Sequence, residues 1–164
     1  AWAGPQFSCH AVHVRVDRET GVARVLDVSA AHDSGTILNP LGALGQIEGG
    51  ITMGIGKALS EGTRYDDTGR QLNPGLLEYK LQTAADTPTV RTCFIEPGGE
   101  GAGPRGAKGL AEAPNVATAA AISNAIAQVI GQPVRQLPMT AERIWLTANE
   151  LLHSEMSNGT GGES

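Results

Sequence analysis

Leu41-Gly-Ala-Leu-Gly-Gln-Ile-Glu-Gly-Gly-Ile-Thr-Met-Gly-Ile-Gly-Lys-Ala-Leu-Ser-Glu-Gly62 is the stretch whose reading decides the fold. Leu41, Leu44, Ile47, Ile51, Ile55 and Leu59 recur at steps of three and four, the period of a helix with one apolar face. Six glycines, Gly42, Gly45, Gly49, Gly50, Gly54 and Gly56, interrupt that period. Each costs about 1 kcal/mol relative to alanine in a helix interior, so a solitary solvent-facing helix would hardly keep them all. Glycine suits a place where another backbone, or a bulky ligand, lies close against the helix.

Working outward, Asn39-Pro40 punctuates the chain just before this helix. Upstream, His10-Ala-Val-His-Val-Arg-Val-Asp17 alternates polar and apolar residues and reads as a half-buried strand. Asp17-Arg-Glu-Thr-Gly21 has turn chemistry, and a second strand runs from Val22 to Ser29, making a hairpin with Gly21 at positive φ. Downstream, Tyr65-Asp-Asp-Thr-Gly69 is another turn, and Gln71 to Lys80 reads as strand or extended loop. Thr89 to Glu96 alternates again as a strand. Pro97 to Gly109 is the most glycine-dense segment, a loop either mobile or wrapped round something.

Two helices close the sequence. The first runs from about Pro114 to Ile130, with proline in its first turn and Gly131 past its end. The second starts at Thr140, an N-cap followed by an acid, and reaches about Leu152. Residues 153–164 are polar and Gly/Ser-rich and are expected to be a disordered tail behind a structured unit of residues 1–152. The class is α+β: mixed strands, a Gly-rich helix and two C-terminal helices.

Composition narrows the function. Gly 22 and Pro 9 of 164 residues together make about 19%, close to twice the usual share, while aromatics are only 4%. No apolar run approaches the roughly 18 residues of a membrane span, and the N-terminus shows no secretory signal. A cytoplasmic setting is expected. Cys9 and Cys93 are too few for a disulfide framework and lack zinc spacing. The net charge of −5 argues against nucleic acid as the main partner.

Several residues are candidates for chemistry. Gly101-Ala-Gly-Pro-Arg-Gly106 fits G-x-G-x-x-G, but a dinucleotide site needs a helix to open inside the motif, and Pro104 with residues 107–113 delays it. His10 and His13 lie three apart on a strand, hence on opposite faces, and share no metal; His32 beside Asp33, at a strand end, reads as a capped or hydrogen-bonded loop histidine. Gln46 and Glu48 sit two apart in the Gly-rich helix and face different sides. Glu112, just before the helix at Pro114, has two readings: a cap on the free N–H groups of the first turn, or a catalytic base beside a ligand cradled by the glycines.

Three motifs, in order, resemble the molybdenum hydroxylases of the xanthine dehydrogenase/aldehyde oxidase family. They are Gly45-Gln-Ile-Glu-Gly-Gly-Ile-Thr-Met-Gly-Ile-Gly56, Asn73-Pro-Gly-Leu-Leu-Glu-Tyr-Lys80 and Gly106-Ala-Lys-Gly-Leu-Ala-Glu-Ala-Pro114. The likeness runs from about Phe7 to Leu146 and includes the closing Val134-Arg-Gln-Leu-Pro-Met-Thr-Ala-Glu-Arg143. It implies the C-terminal part of the large, molybdopterin-binding subunit, as a fragment, a processed piece or one product of a split gene.

The resemblance assigns roles by position. Glu112 matches the family's general base, in a hydroxylation of an aldehyde or N-heterocycle that takes its oxygen from water. Gln46 matches a glutamine that hydrogen-bonds the cofactor, Gly45 gives the backbone room to approach the pterin, and Lys108 and Gly109 match loop positions on the cofactor side. The metal is held by the pterin dithiolene, so no side chain here is implied as a ligand. A molybdenum–molybdopterin group, in a dinucleotide form, is the implied cofactor. The implied partners are the rest of the large subunit, an iron–sulfur subunit with 2Fe–2S, a FAD subunit and a small-molecule substrate. Two departures stand out: Ala111 and Ala113 flank the glutamate where the family has glycine and proline. They motivate a rival expectation, a non-catalytic scaffold of the same fold.

Overall fold

The computed structural model describes residues 5–95 and 103–159, with side chains described as far as residue 150. The hairpin forms as the alternation predicts: β1 (Phe7–Val16) pairs antiparallel with β2 (Ala23–Asp33). At its turn Gly21 adopts φ 73, and the Asp17 carboxylate accepts the N–H groups of Glu19 and Thr20. Both strands extend further from the turn than the β-branched residues alone suggest, because Phe7 to His10 and Ala30 to Asp33 stay in register. A bulge between His13 and Val14 leaves Leu26 without a partner. β3 (Thr89–Phe94) adds to β2 in parallel, giving the order β1-β2-β3. Residues 71–80 form no strand; a single bridge joins Tyr65 to Gln71. That loop is pinned by the buried Asn73, which accepts from Arg64 N–H and donates to the Gly62 carbonyl.

The Gly-rich helix α1 (Pro40–Leu59) starts at an Asn39 cap whose side chain accepts the Gly42 N–H at 3.0 Å. Ile47, Ile51 and Ile55 are fully or almost fully buried, as the period predicts, but Leu41 is 82% exposed. The apolar face therefore begins later than expected. α2 (Ala113–Ile130) lies across α1 and β1, and ends at Gly131 with φ 87. Gly50 and Gly54 are the points of closest approach: a Cβ on them would lie 2.7 Å from Pro114 Cβ and 2.6 Å from Thr118 Cβ. Gly45 and Gly49, by contrast, face open space.

α3 (Ala141–Gly159) continues past the expected stop near Leu152, since Leu152 to Ser157 hold neither glycine nor proline to break it. Residues 160–164 of the expected tail lie outside the described residues. The core joins Val28 and Ala30 to Ile47, Ile51, Ile55, Ile122, Ile126, Ile130, Met139 and Ile144. Among the described residues no Phe, Tyr or Trp is fully buried there. Both helices α1 and α2 cover one face of the sheet; Cys9 and Cys93, both free thiols, are exposed. No described helix is long and apolar enough to cross a membrane.

Candidate functional site

The loop after β2 and the end of the Gly-rich loop close onto each other. Lys108 N–H donates to the Ser34 carbonyl at 2.8 Å, and Thr36 N–H to the Gly106 carbonyl at 3.0 Å. Gly35, at φ 66, makes an isolated bridge to Ala107, and the Gly106 carbonyl occupies the space a Cβ there would need. The Lys108 ammonium sits 2.6 Å from the Asp33 carboxylate, with both side chains mostly buried. That hydrogen bond holds the Asp33 carboxyl below its ordinary range. The described part of the G-x-G-x-x-G motif is a single 3-10 turn, Pro104–Gly106, and the next helix waits until Ala113. Residues 101 and 102 of the motif lie outside the described residues.

Glu112 stands where the sequence puts it, at the start of α2, but it is not a side-chain cap. Its backbone is helical (φ −86, ψ −35), its carboxylate makes no capping bond, and it is exposed. A capping side chain needs an extended backbone at that residue, and Pro114 removes one of the first-turn N–H donors. The carboxylate is left free at the positive end of the helix dipole. The flanking alanines strain nothing: Arg105 is the one non-glycine residue with positive φ among the described residues, so Ala111 has ordinary backbone.

Gln46 and Lys108 come together on one shallow hollow of about 200 Å³, with Asn39, Gly42 and Leu110 in its wall. Gln46 is exposed there. Lys108 contributes its stem and backbone, since its ammonium is committed to Asp33. Gly45 faces open space, one residue before Gln46. Gly109 is exposed, and a Cβ on it would lie 3.4 Å from Gln6 Nε2. Glu112 lies just beyond Leu110 along the chain and outside the wall of the hollow. Glu48 is exposed too, its carbonyl accepting the Thr52 hydroxyl.

The histidines separate as the alternation predicts. His13 faces outward, 3.9 Å from Asp27, while His10 turns inward and meets His32 Nε2 to Nε2 at 3.0 Å. His10 Nδ1 also reaches Thr118 Oγ1 at 3.0 Å. Burial pushes both imidazoles down, His10 to about 4. No sequence pattern pointed to Gln6, Ser34 and Asn115. Gln6 Oε1, Ser34 Oγ and Asn115 Oδ1 are buried with no partner among the described residues, as is His32 Nδ1. Gln6, Ser34 and Asn115 all border the segment between Lys108 and the first turn of α2. Asp33 followed by Gly35 was the available signal for this clamp, a carboxylate ahead of a forced turn.

Residues 3–88 match the family described as molybdopterin cofactor-binding domain. The chain is 41% identical over 145 residues to the xanthine dehydrogenase molybdenum-binding subunit of Escherichia coli O157:H7, covering 86% of this chain and 19% of that one. It is 35% identical over 139 residues to the aldehyde oxidoreductase molybdenum-binding subunit of E. coli K12, covering 84% and 19%. The crystal structure of quinoline 2-oxidoreductase from Pseudomonas putida 86 superposes with a TM-score of 0.80 at 34% identity, over 86% of this chain and 18% of that one. The chain thus spans about a fifth of the length of these relatives. With more than half its length matched by the family and the fold shared with a relative at 34% identity, the chain belongs to the molybdopterin cofactor-binding domains of the molybdenum hydroxylase large subunits.

Proposed function

We propose that this chain supplies the general base and part of the pterin site of a molybdenum hydroxylase that acts on an aldehyde or an N-heterocycle, with water as the oxygen source. The observation that carries the reading is the Glu112 carboxylate, exposed at the start of α2 and free of any capping bond. The surroundings suit a pterin. Gln6 Oε1, Ser34 Oγ and Asn115 Oδ1 are buried and unpartnered among the described residues, and such groups complement the amide and amino edges of that ring. Gln46 offers a further amide from the hollow, and Gly45 leaves the helix face bare for close approach. Lys108 lines the hollow from the loop side, held in place by Asp33, and Gly109 is exposed next to it.

When bound, the molybdenum–pterin group, in a dinucleotide form, supplies a Lewis acid and a two-electron acceptor. Glu112 takes the proton from the attacking water on its carboxylate oxygen. The carboxylate stands at the positive end of the α2 dipole with no capping bond to occupy it. The clamp between Ser34, Gly106 and Lys108 holds the segment ahead of it in place. Electrons leave through 2Fe–2S and FAD on partner chains, and the assembled enzyme works in the cytoplasm. The scaffold reading draws on Ala111 and Ala113, yet Ala111 has ordinary backbone and the carboxylate between them is unused by the helix.

The test is Glu112→Gln in the enzyme that contains this chain. Turnover falls by at least 10²- to 10⁴-fold, the usual contribution of a general base, while molybdenum and pterin content stay near wild type. Retained turnover sinks the assignment of the base. A purified wild-type complex with neither molybdenum nor pterin establishes the scaffold instead.

A further inference from the structure

We infer that half-buried His10 and the buried His32 and Thr118 form a positioning chain that fixes the first turns of α2 against the sheet, and with them Glu112; the functional consequence rests on Glu112 being the base. Thr118 is fully buried and touches three elements at once. Its Cβ lies opposite the bare Cα of Gly54 on α1, its hydroxyl donates to the Pro114 carbonyl at 2.8 Å, and the same oxygen meets His10 Nδ1 on β1. Among the described residues this is the one side-chain hydrogen bond joining the sheet to α2.

The proton inventory gives the chain a direction. A threonine hydroxyl has one proton, and it goes to the Pro114 carbonyl. His10 must then donate from Nδ1, which leaves its Nε2 as an acceptor for the Nε2–H of His32. Both rings are neutral near pH 7, because burial holds them below the ordinary histidine value. The reverse direction would strip the hydroxyl from Pro114 and bury an unpaired His32 Nδ1–H, which costs more than the bare lone pair it has now. So three donors run from His32 on β2 through His10 on β1 to the Pro114 carbonyl, two residues past Glu112.

Apolar packing cannot do this alone. Ala119, Ile122, Ile126 and Ile130 give α2 a buried stripe, but such contacts are non-directional and tolerate small slides along the axis. Hydrogen bonds of fixed geometry do not. A base displaced by about 1 Å loses much of its advantage, so the chain sets where Glu112 sits without touching substrate. His10, His32 and Thr118 are thus positioning residues.

The experiment uses the intact enzyme with Thr118→Val, which keeps the shape opposite Gly54 and removes the hydroxyl, and Thr118→Ser, which restores it. For Thr118→Val we expect kcat to fall about tenfold with KM, molybdenum and pterin unchanged, and amide exchange in the first turns of α2 to quicken. Thr118→Ser should recover most of both. Wild-type kcat and exchange in Thr118→Val overturn the inference. So does a Thr118→Ser enzyme as impaired as Thr118→Val, because packing and not the hydroxyl would then be at work. Should Thr118→Val fail to assemble, His10→Leu removes the same bond from the sheet side and is read the same way. Glu112→Gln in parallel separates the two claims. If it is inactive while Thr118→Val is unaffected, the positioning chain alone has failed; if it turns over normally, the base has failed, and exchange alone then judges the chain.

Discussion

Burial holds the imidazoles of His10 and His32 below their ordinary value of 6.5, His10 at about 4. Between those two pH values the unfolded chain binds protons that the folded chain refuses, so stability must fall as pH drops from about 6.5 towards 4. The Asp33 carboxyl, depressed by Lys108, acts in a lower window: its contribution is present above 3.8 and is lost only as pH falls below that. Thermal unfolding of the enzyme at stepped pH should therefore show an early loss that His10→Gln reduces, then a later one that Asp33→Asn removes. A flat response between pH 6.5 and 4 would contradict neutral, buried histidines. At this scale the sequence put Glu112 at the start of α2, where it stands, because helix-start chemistry is local. It could not show Lys108 on Asp33, 75 residues apart, or His10 on His32, because both depend on how distant segments dock.

Glycines within one helix do two different jobs. Gly50 and Gly54 let α1 and α2 touch, and an alanine there must push against Pro114 or Thr118. Gly54→Ala should cost about 1–3 kcal/mol, the usual price of overpacking, measured as a lowered denaturation midpoint. Gly45 meets nothing within 4 Å, so Gly45→Ala should gain up to about 1 kcal/mol from helix propensity. If the pterin lies against that face, the same change lowers pterin content; unchanged content would remove Gly45 from the cofactor site. Periodicity alone gave the helix, but neither its Asn39 cap nor which glycines face a neighbour. The hairpin was legible from alternation and turn chemistry. Residues 71–80 admit both strand and extended loop on sequence, because three leucines in a loop resemble a strand until a partner strand is sought and not found.

At the scale of the whole molecule, the excess of glycine and dearth of aromatics acquire a structural meaning. Isoleucines and alanines fill the thin layer between helices and sheet, where glycine contacts leave little room for rings. Leu41, Leu76 and Leu77 are 77–82% exposed, apolar surface that a stable monomer seldom displays in quantity. The isolated 164 residues should accordingly show no cooperative thermal transition, followed by circular dichroism. A sharp melt with native-like helix content would show that the chain stands alone.

The central claim concerns one carboxylate, and the reductive half-reaction tests it without interference from electron exit. Enzyme containing Glu112→Gln is mixed rapidly with substrate under anaerobic conditions, and the rate of reduction is normalised to bound molybdenum. The expected result is a rate lower by at least about 10²-fold at unchanged metal and pterin loading. A wild-type rate at full loading would mean that Glu112 is not the base.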